Sequence, residues 1–161
     1  MILIALGSNL KSETYGDPIK NCHKAMEFLG KRFELVKVSN FYETEPIPKS
    51  NQAMFVNGVV SVKTNFLPKK ILSELMNIEK IFKRVRHLKN ESRVIDLDLL
   101  CYNEMILKDK HLQLPHPRMH LRRFVMQPLC DINKEWVHPL FKEKAKNILK
   151  KLANQKIYNI N

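Results

Sequence analysis

The segment Val94-Ile-Asp-Leu-Asp-Leu-Leu100 alternates acidic and apolar residues in its central part. Alternation with a period of two indicates a β-strand with one apolar face. The opposite face would carry Asp96 and Asp98, with their side chains roughly 7 Å apart along the strand. The segment therefore predicts a strand that presents two carboxylates side by side.

The residues before this strand predict five further elements. In chain order these are a buried strand at Ile2–Leu6, a helix from Pro18 to Gly30, strands at Phe33–Tyr42 and Phe55–Val62, and a helix that begins at Pro68. Asp17-Pro18 offers a helix N-cap and a first-turn proline, and Gly30 ends the apolar period of the first helix. The order β-α-β-β-α-β over residues 1–100 predicts an α+β, ferredoxin-like βαββαβ core, with helices on one face of an antiparallel sheet.

The remaining residues predict a C-terminal extension of this core. They suggest a hairpin near Asn103, a loop at Pro115–Pro117 and a helix from Glu143 to Leu152. We expect residues 1–161 to form a single domain, because domains commonly span roughly 100–200 residues.

Charge and cysteine content narrow the possible partners and compartment. The chain has 28 Lys and Arg against 16 acidic residues, so its net charge of +12 favours anionic partners: nucleic acid, a membrane surface or a polyphosphate. Its three cysteines form no Cys-x-x-Cys pair, which argues against a zinc site. No basic leader is present, and no apolar run reaches the ~20 residues of a spanning helix. We therefore expect a cytoplasmic protein.

The paired aspartates have two interpretations. They could hold Mg²⁺, which prefers oxygen ligands and often sits between one or two carboxylates and substrate phosphates. They could equally be an acidic pair on a solvated sheet face. The stretch between Lys80 and Arg93, rich in lysine and arginine, favours the first interpretation, because guanidinium groups bind phosphate oxygens.

Glycine content excludes the common phosphate-binding loops. The chain has four glycines, and none lies in a G-x-x-x-x-G-K-[ST] or G-x-G-x-x-G pattern. Any bound nucleotide must therefore be held by side chains and metal.

Two further segments could bind substrate. His116 lies between two prolines in Leu114-Pro-His-Pro-Arg118, where its imidazole could contact a phosphate or serve structure alone. The segments Thr44–Ile47 and Phe55-Val-Asn57 combine an amide with an aromatic ring. Such a pair suits the edge and face of a fused heterocycle.

Taken together, these segments resemble the 6-hydroxymethyl-7,8-dihydropterin pyrophosphokinase family. The matching stretches follow the family's order: Ala5–Leu10, Phe41–Pro46, Phe55–Asn57, Arg84–Arg86, Arg93–Asp98, Leu114–Met119, Arg122 and Phe124. The resemblance implies pyrophosphoryl transfer from MgATP to a reduced pterin in folate biosynthesis. It also implies small-molecule substrates, with neither nucleic acid nor membrane as partner, and a monomer.

The resemblance further implies a role for each matching residue. The implied catalytic residues are Arg84, Arg93, Asp96 and Asp98, with Asp96 and Asp98 also holding two Mg²⁺ ions. The implied nucleotide-binding residues are Glu79, Arg86, His116 and Arg122, and the implied pterin-binding residues are Thr44, Ile47, Phe55, Asn57 and Phe124.

The sequence departs from the family pattern at three places. The stretch between Arg86 and Arg93 lacks the family's tryptophan, Arg123 replaces a small residue, and Lys11–Pro18 looks like an insertion. Two other classes of protein remain open. A nucleic-acid-binding module would bind without turnover, and a two-metal nucleotidyltransferase would release pyrophosphate rather than AMP.

Overall fold

The computed structural model describes residues 1–47, 49–82 and 92–160. Its strands are β1 (Ile2–Ser8), β2 (Glu34–Val38), β3 (Tyr42–Thr44), β4 (Phe55–Lys63), β5 (Asp96–Tyr102), β6 (Leu107–Lys108), β7 (Gln113–Leu114) and β8 (Ile157–Asn159). Its α-helices are α1 (Pro18–Gly30), α2 (Pro68–Ile81), α3 (Arg123–Asn133) and α4 (Ala145–Lys150), and a 3-10 turn spans Met119–Leu121.

The main sheet is antiparallel and confirms the predicted βαββαβ order. Its strands follow the order β5-β1-β4-β3-β8, and β2 pairs with the other half of β4. The strand predicted over Phe33–Tyr42 is thus interrupted, and its two parts lie end to end along β4. At one end of the sheet, Gly7 of β1 lies between Asp96 of β5 and Asn57 of β4.

Both helices of the βαββαβ core lie on one face of the sheet, as predicted, and the C-terminal extension adds helices on the other face. On the first face, α1 and α2 pack on residues such as Leu6, Leu97 and Leu99. On the second face, α3 and α4 pack on residues of opposite parity, including Leu3 and Val59. A strand buried on both faces explains the unbroken apolar run of β1.

The C-terminal extension differs in detail from the prediction. Asn103 occupies a turn with φ of 51° directly after β5, and the hairpin lies further on, between β6 and β7. Helix α4 falls within the predicted range Glu143–Leu152 but is shorter. Across the three described ranges, no helix is both long and apolar enough to cross a membrane.

The segment Lys11–Pro18 forms a turn that packs an aromatic ring onto the first-face core. Ser12 and Gly16 form a bridge, and the Ser12 Oγ accepts hydrogen bonds from the Thr14 and Tyr15 N–H groups. The Tyr15 ring lies 4.8 Å from that of Phe82, at the C-terminal end of α2. The apparent insertion therefore ties the end of α2 to the rest of the core.

Gly58 on β4 is a position where close packing requires glycine. A Cβ built there would lie 2.6 Å from Cε1 of Phe41, whose ring is buried. We expect Gly58→Ala to lower the free energy of unfolding by about 1–3 kcal/mol, because the added methyl group would overlap a buried ring and force the ring or the strand to shift. Urea denaturation followed by circular dichroism would measure the loss.

Gly30 provides the matched control. A Cβ there would meet Leu35 at 3.6 Å, an ordinary contact, and the residue ends a helix. Gly30→Ala should be neutral or stabilising by up to about 1 kcal/mol. Equal losses at both glycines would contradict the packing argument.

The His138 imidazole should make stability depend on pH. Its Nδ1 accepts hydrogen bonds from the Leu140 and Phe141 N–H groups, and the residue is 2% exposed. Burial, followed by the nearby His120, lowers the pKa of His138 to about 4 from 6.5. The unfolded chain therefore binds more protons between these two values, so unfolding should become easier as pH falls from 6.5 towards 4.

Three histidines contribute to this slope, because burial also lowers the pKa of His116 and of His120. One such group contributes at most ~1.4 kcal/mol per pH unit within the window and nothing further above pH 6.5. Asn can accept the same backbone N–H groups without titrating. His138→Asn should reduce the slope of the unfolding free energy against pH by up to ~1.4 kcal/mol per pH unit, and the contributions of His116 and His120 should remain. An unchanged slope would assign the pH dependence to other groups.

Candidate active site

The two aspartates of β5 lie on the second face of the sheet. Their neighbours Leu97 and Leu99 pack in the first-face core, so Asp96 and Asp98 project the other way. Their side chains are 22% and 39% exposed, respectively. The carboxylates are therefore partly sheltered and still open to a ligand.

A gap beside Asp96 is formed by Gly7. A Cβ built on Gly7 would lie 3.2 Å from Asn57 Oδ1 and 3.9 Å from Asp96 Cβ. Gly7, Asn57 and Asp96 thus share one face, and the missing side chain leaves space between the amide and the carboxylate. Sequence reasoning assigned no role to Gly7, although it lies at the end of the first strand.

A polar floor lies on the other side of this gap. The Asn57 Nδ2 donates a hydrogen bond to Thr44 Oγ1 at 2.9 Å, and both side chains are buried. Phe55 lies opposite Thr44 across the β3–β4 pair. The amide of Asn57 is therefore held in a fixed orientation beside an aromatic ring.

Arg93 connects this floor with the aspartates. Its Nη1 forms an ion pair with Asp96 Oδ2, and its guanidinium carbon lies 5.8 Å from the centre of the Phe55 ring. Asn9 fixes the main chain of Arg93. The Asn9 Oδ1 accepts the Arg93 N–H at 2.8 Å, and the Asn9 N–H donates to the Arg93 carbonyl at 3.0 Å. Asn9 is thus a positioning residue to which sequence reasoning gave no role.

His116 approaches the aspartates from the segment after β7. Its main-chain N–H donates a hydrogen bond to the Leu100 carbonyl, and its ring Nε2 lies 3.9 Å from Asp98 Oδ2. Burial, followed by the charges of Arg122 and Arg118, lowers the pKa of His116 to about 4. Because Nδ1 accepts the Arg118 N–H, the proton of the neutral ring is on Nε2. His116 can therefore donate a hydrogen bond on the side of Asp98.

Arg122 is the last of the charged residues near Asp96 and Asp98. Burial and the charge of Arg118 lower its pKa, while Asp98 and Asp96 oppose that shift. Its guanidinium carbon lies 5.4 Å from the centre of the Phe124 ring. Arginine remains charged near neutral pH, so the guanidinium groups of Arg93 and Arg122 neighbour the carboxylates of Asp96 and Asp98.

The other predicted site residues are placed differently. Glu79 is 3% exposed on the first-face side, and its Oε1 accepts the Leu97 N–H at 2.9 Å. Ile47 is 50% exposed in the segment that follows β3. Arg84 and Arg86 lie outside the described residues. A nucleotide-binding role for Glu79 stays a prediction.

The donor set suits Mg²⁺ better than a metal held by protein alone. Within 1–47, 49–82 and 92–160, no group of three or more His, Cys, Asp or Glu side chains could enclose an ion. Two carboxylates beside open space match the preference of Mg²⁺ for a few protein oxygens together with water and phosphate. Asp96 and Asp98 therefore fit a metal that arrives with a polyphosphate.

A sheet that gathers carboxylates and arginines beside a polar, aromatic floor is the kind of site used for phosphoryl transfer. A family model described as 7,8-dihydro-6-hydroxymethylpterin-pyrophosphokinase (HPPK) matches residues 3–134. The chain belongs to this family, and it is a pyrophosphokinase, which is a transferase.

Curated relatives agree over nearly the whole chain. A 2-amino-4-hydroxy-6-hydroxymethyldihydropteridine pyrophosphokinase of Haemophilus influenzae is 34% identical over 160 residues, covering 98% of this chain and 96% of that protein. The protein of the same description from Aquifex aeolicus is 34% identical over 145 residues, covering 90% and 88%.

Other similar proteins are much longer. The folic acid synthesis protein fol1 of Pneumocystis carinii is 39% identical over 140 residues, which cover 86% of this chain and 18% of that protein. The wild-type HPPK-DHPS of Plasmodium falciparum, solved with pteroate, superposes with a TM-score of 0.75 at 15% identity. That match covers 93% of this chain and 44% of the Plasmodium chain, and it supports the fold.

Proposed function

We propose that this chain transfers the pyrophosphoryl group of ATP to the hydroxymethyl group of 6-hydroxymethyl-7,8-dihydropterin, in folate biosynthesis. The observation that carries this proposal is the placement of Asp96 and Asp98 on the same sheet face as Asn57, with Gly7 leaving space between. A metal–polyphosphate and a flat heterocycle could therefore lie next to each other. ATP is the co-substrate and the reduced pterin is the acceptor.

The reaction is an in-line displacement at the β-phosphorus of ATP. The pterin hydroxyl oxygen forms a bond to this phosphorus, the bond to the α–β bridging oxygen breaks, and AMP leaves with that oxygen. The hydroxyl proton passes to the Asp98 carboxylate. Asp96 and Asp98 would hold two Mg²⁺ ions, which supply charge neutralisation on the phosphates and a lower pKa for the attacking hydroxyl.

The cationic residues act on the phosphates. Arg93 and Arg122 flank the aspartates, so their guanidinium groups can stabilise charge that moves toward the bridging oxygen. The neutral His116 donates a hydrogen bond from its Nε2–H group to a phosphate oxygen. We include Arg84 among the catalytic residues, and Arg86 and Glu79 among those that bind nucleotide, on the family resemblance alone.

The pterin would lie on the floor formed by β3 and β4. The Asn57 amide, held by Thr44, provides a donor and an acceptor for the edge of the heterocycle. Phe55 and Phe124 would contact its faces, and Ile47 would cover it from the segment after β3. Binding of this kind orients the hydroxymethyl group toward the metal ions.

We also propose a monomer in the cytoplasm that uses no nucleic acid or membrane partner. The three free cysteines fit a reducing compartment, where thiols stay reduced. Size-exclusion chromatography with light scattering at several protein concentrations would test the oligomeric state.

One assay tests the proposed reaction. The purified protein is incubated with ATP, Mg²⁺ and 6-hydroxymethyl-7,8-dihydropterin, and the nucleotide and pterin products are separated by chromatography. We expect equal amounts of AMP and the pterin diphosphate. Release of pyrophosphate would instead indicate a nucleotidyltransferase, and nucleotide-independent binding of RNA would indicate a nucleic-acid module.

A further inference from the structure

The side chain of Gln155 holds the main chain on both sides of Arg122. The Gln155 Nε2 donates a hydrogen bond to the Leu121 carbonyl at 2.9 Å, and its Oε1 accepts the Arg123 N–H at 2.8 Å. Arg122 itself is extended, with φ of −121° and ψ of 109°. A single carboxamide thus makes the two hydrogen bonds that a neighbouring strand would make to an extended residue.

The segment that carries Gln155 is itself fixed at both ends. The Arg123 Nη1 donates to the carbonyls of Ala153 and Gln155 at 3.0 and 2.8 Å. A few residues later, β8 pairs with β3, where Ile157 lies opposite Thr44. The C-terminal segment 153–160 therefore joins the chain around Arg122 to the strand that carries Thr44. This arrangement also gives Arg123, the departure from the family pattern, a structural role.

The main chain at Arg122 needs such support because its side chain lies near charges of both signs. The residue is partly buried, and its guanidinium feels the positive charge of Arg118 and the negative charges of Asp98 and Asp96. A cation among opposed charges is sensitive to small displacements, because Coulomb energies change steeply at short range and low dielectric. Residues that hold a binding group in place contribute to affinity without touching the ligand.

We infer that Gln155 is a positioning residue that sets the affinity for the nucleotide by fixing the main chain on either side of Arg122. The inference rests on the proposed function, in which Arg122 contacts ATP. Gln155 lies beyond residues 3–134, where the family model matches. A residue that only fastened the C-terminal segment would affect stability, and would affect pterin and nucleotide alike through β3.

The test uses Gln155→Met, which keeps the size of the side chain and removes both hydrogen bonds. Titration calorimetry with a non-hydrolysable ATP analogue and Mg²⁺, well below the unfolding temperature, should show about tenfold weaker binding. The KM for the pterin should stay within about twofold of the unchanged protein, since Thr44 is held independently by β4. Lys156→Met, at the exposed neighbouring position, is the matched control and should bind nucleotide normally.

A double-mutant cycle separates positioning from general stabilisation. In an Arg122→Ala background, Gln155→Met should change nucleotide affinity by less than about twofold, because the group being positioned is gone. A full tenfold effect in that background would overturn the inference. So would nucleotide binding unchanged by Gln155→Met alone.

A second variant decides the case if Gln155→Met fails to fold. Gln155→Glu keeps the acceptor for the Arg123 N–H and loses the donor to the Leu121 carbonyl, so it should weaken nucleotide binding by about threefold. Unchanged affinity in this variant would contradict the inference. Absence of nucleotide binding or AMP release in the unaltered protein would contradict the proposed function instead.

Discussion

Asp98→Asn and Asp96→Asn are each expected to lower kcat by more than about 10³-fold. Both carboxylates project from the same face of β5, where Arg93 pairs with Asp96 and the charge of Arg122 interacts with both. An amide is a poor ligand for Mg²⁺, so either change would disturb the ions that align the phosphates. The loss should exceed the 10²–10³-fold typical of removing one electrostatic contact. Single-turnover measurement of AMP formation would determine it.

Replacing an aspartate elsewhere on the surface should not lower kcat in this way. Asp109 pairs with Lys69 at 2.9 Å beside the β6–β7 hairpin, and Asp109→Asn should leave kcat unchanged. The folded state should survive all three changes, which thermal unfolding can verify. Raising the Mg²⁺ concentration should partly restore activity to Asp96→Asn or Asp98→Asn if metal affinity is reduced. Full activity in either variant would exclude these carboxylates as metal ligands.

The core of the fold could be predicted because its signals are local. The central part of Val94–Leu100 alternates in polarity, Pro18 and Pro68 open their helices, and Ile2–Leu6 is apolar throughout. Each signal depends on neighbouring residues only, and together they allow few topologies. The sheet then confirms the expected order of strands.

Helix α3 was missed, although its apolar spacing is visible in the sequence. Val125, Met126, Leu129 and Ile132 recur at helical intervals and pack on the second face of the sheet. Pro128 lies inside the helix, however, where proline normally breaks the backbone hydrogen bonding. Tertiary packing overrides this preference. The apolar run of β1 indicates that both faces of the sheet are covered, but no local pattern shows which segment covers the second face.

Residue types that could carry chemistry were readily identified, whereas residues that position them were not. Asn9 fixes the main chain of Arg93 across more than eighty positions, and Gln155 fixes that of Arg122. Asparagine and glutamine are common on surfaces, so their types alone indicate nothing. Their roles depend on long-range contacts that only the folded chain defines.

Arg93 is a residue whose type suggests chemistry and whose position depends on long-range contacts. Asn9 holds its main chain, and Asp96 forms an ion pair with its guanidinium group. The guanidinium also lies near the Phe55 ring. The same guanidinium therefore lies beside both the proposed metal ligands and the proposed pterin floor. Loss of this group should affect transfer more than binding of either substrate alone.

Arg93→Ala is accordingly expected to lower kcat by about 10²–10³-fold, with smaller changes in KM for ATP and pterin. Arg93→Lys should recover little, because an ammonium cannot reproduce the planar contact with Phe55 while also pairing with Asp96. Steady-state kinetics with each substrate varied in turn would measure both effects.

The matched control is Arg32→Ala, since Arg32 pairs with Glu74 on the first-face side and is 56% exposed. Its loss should leave kcat within about twofold, as expected for an exposed ion pair. If Arg93→Lys retained full kcat, a point charge at this position would suffice, and the planar guanidinium would have no part in the transfer. If Arg93→Ala raised only the KM for ATP, Arg93 would bind the ground state without stabilising the transition state, because uniform binding leaves kcat unchanged.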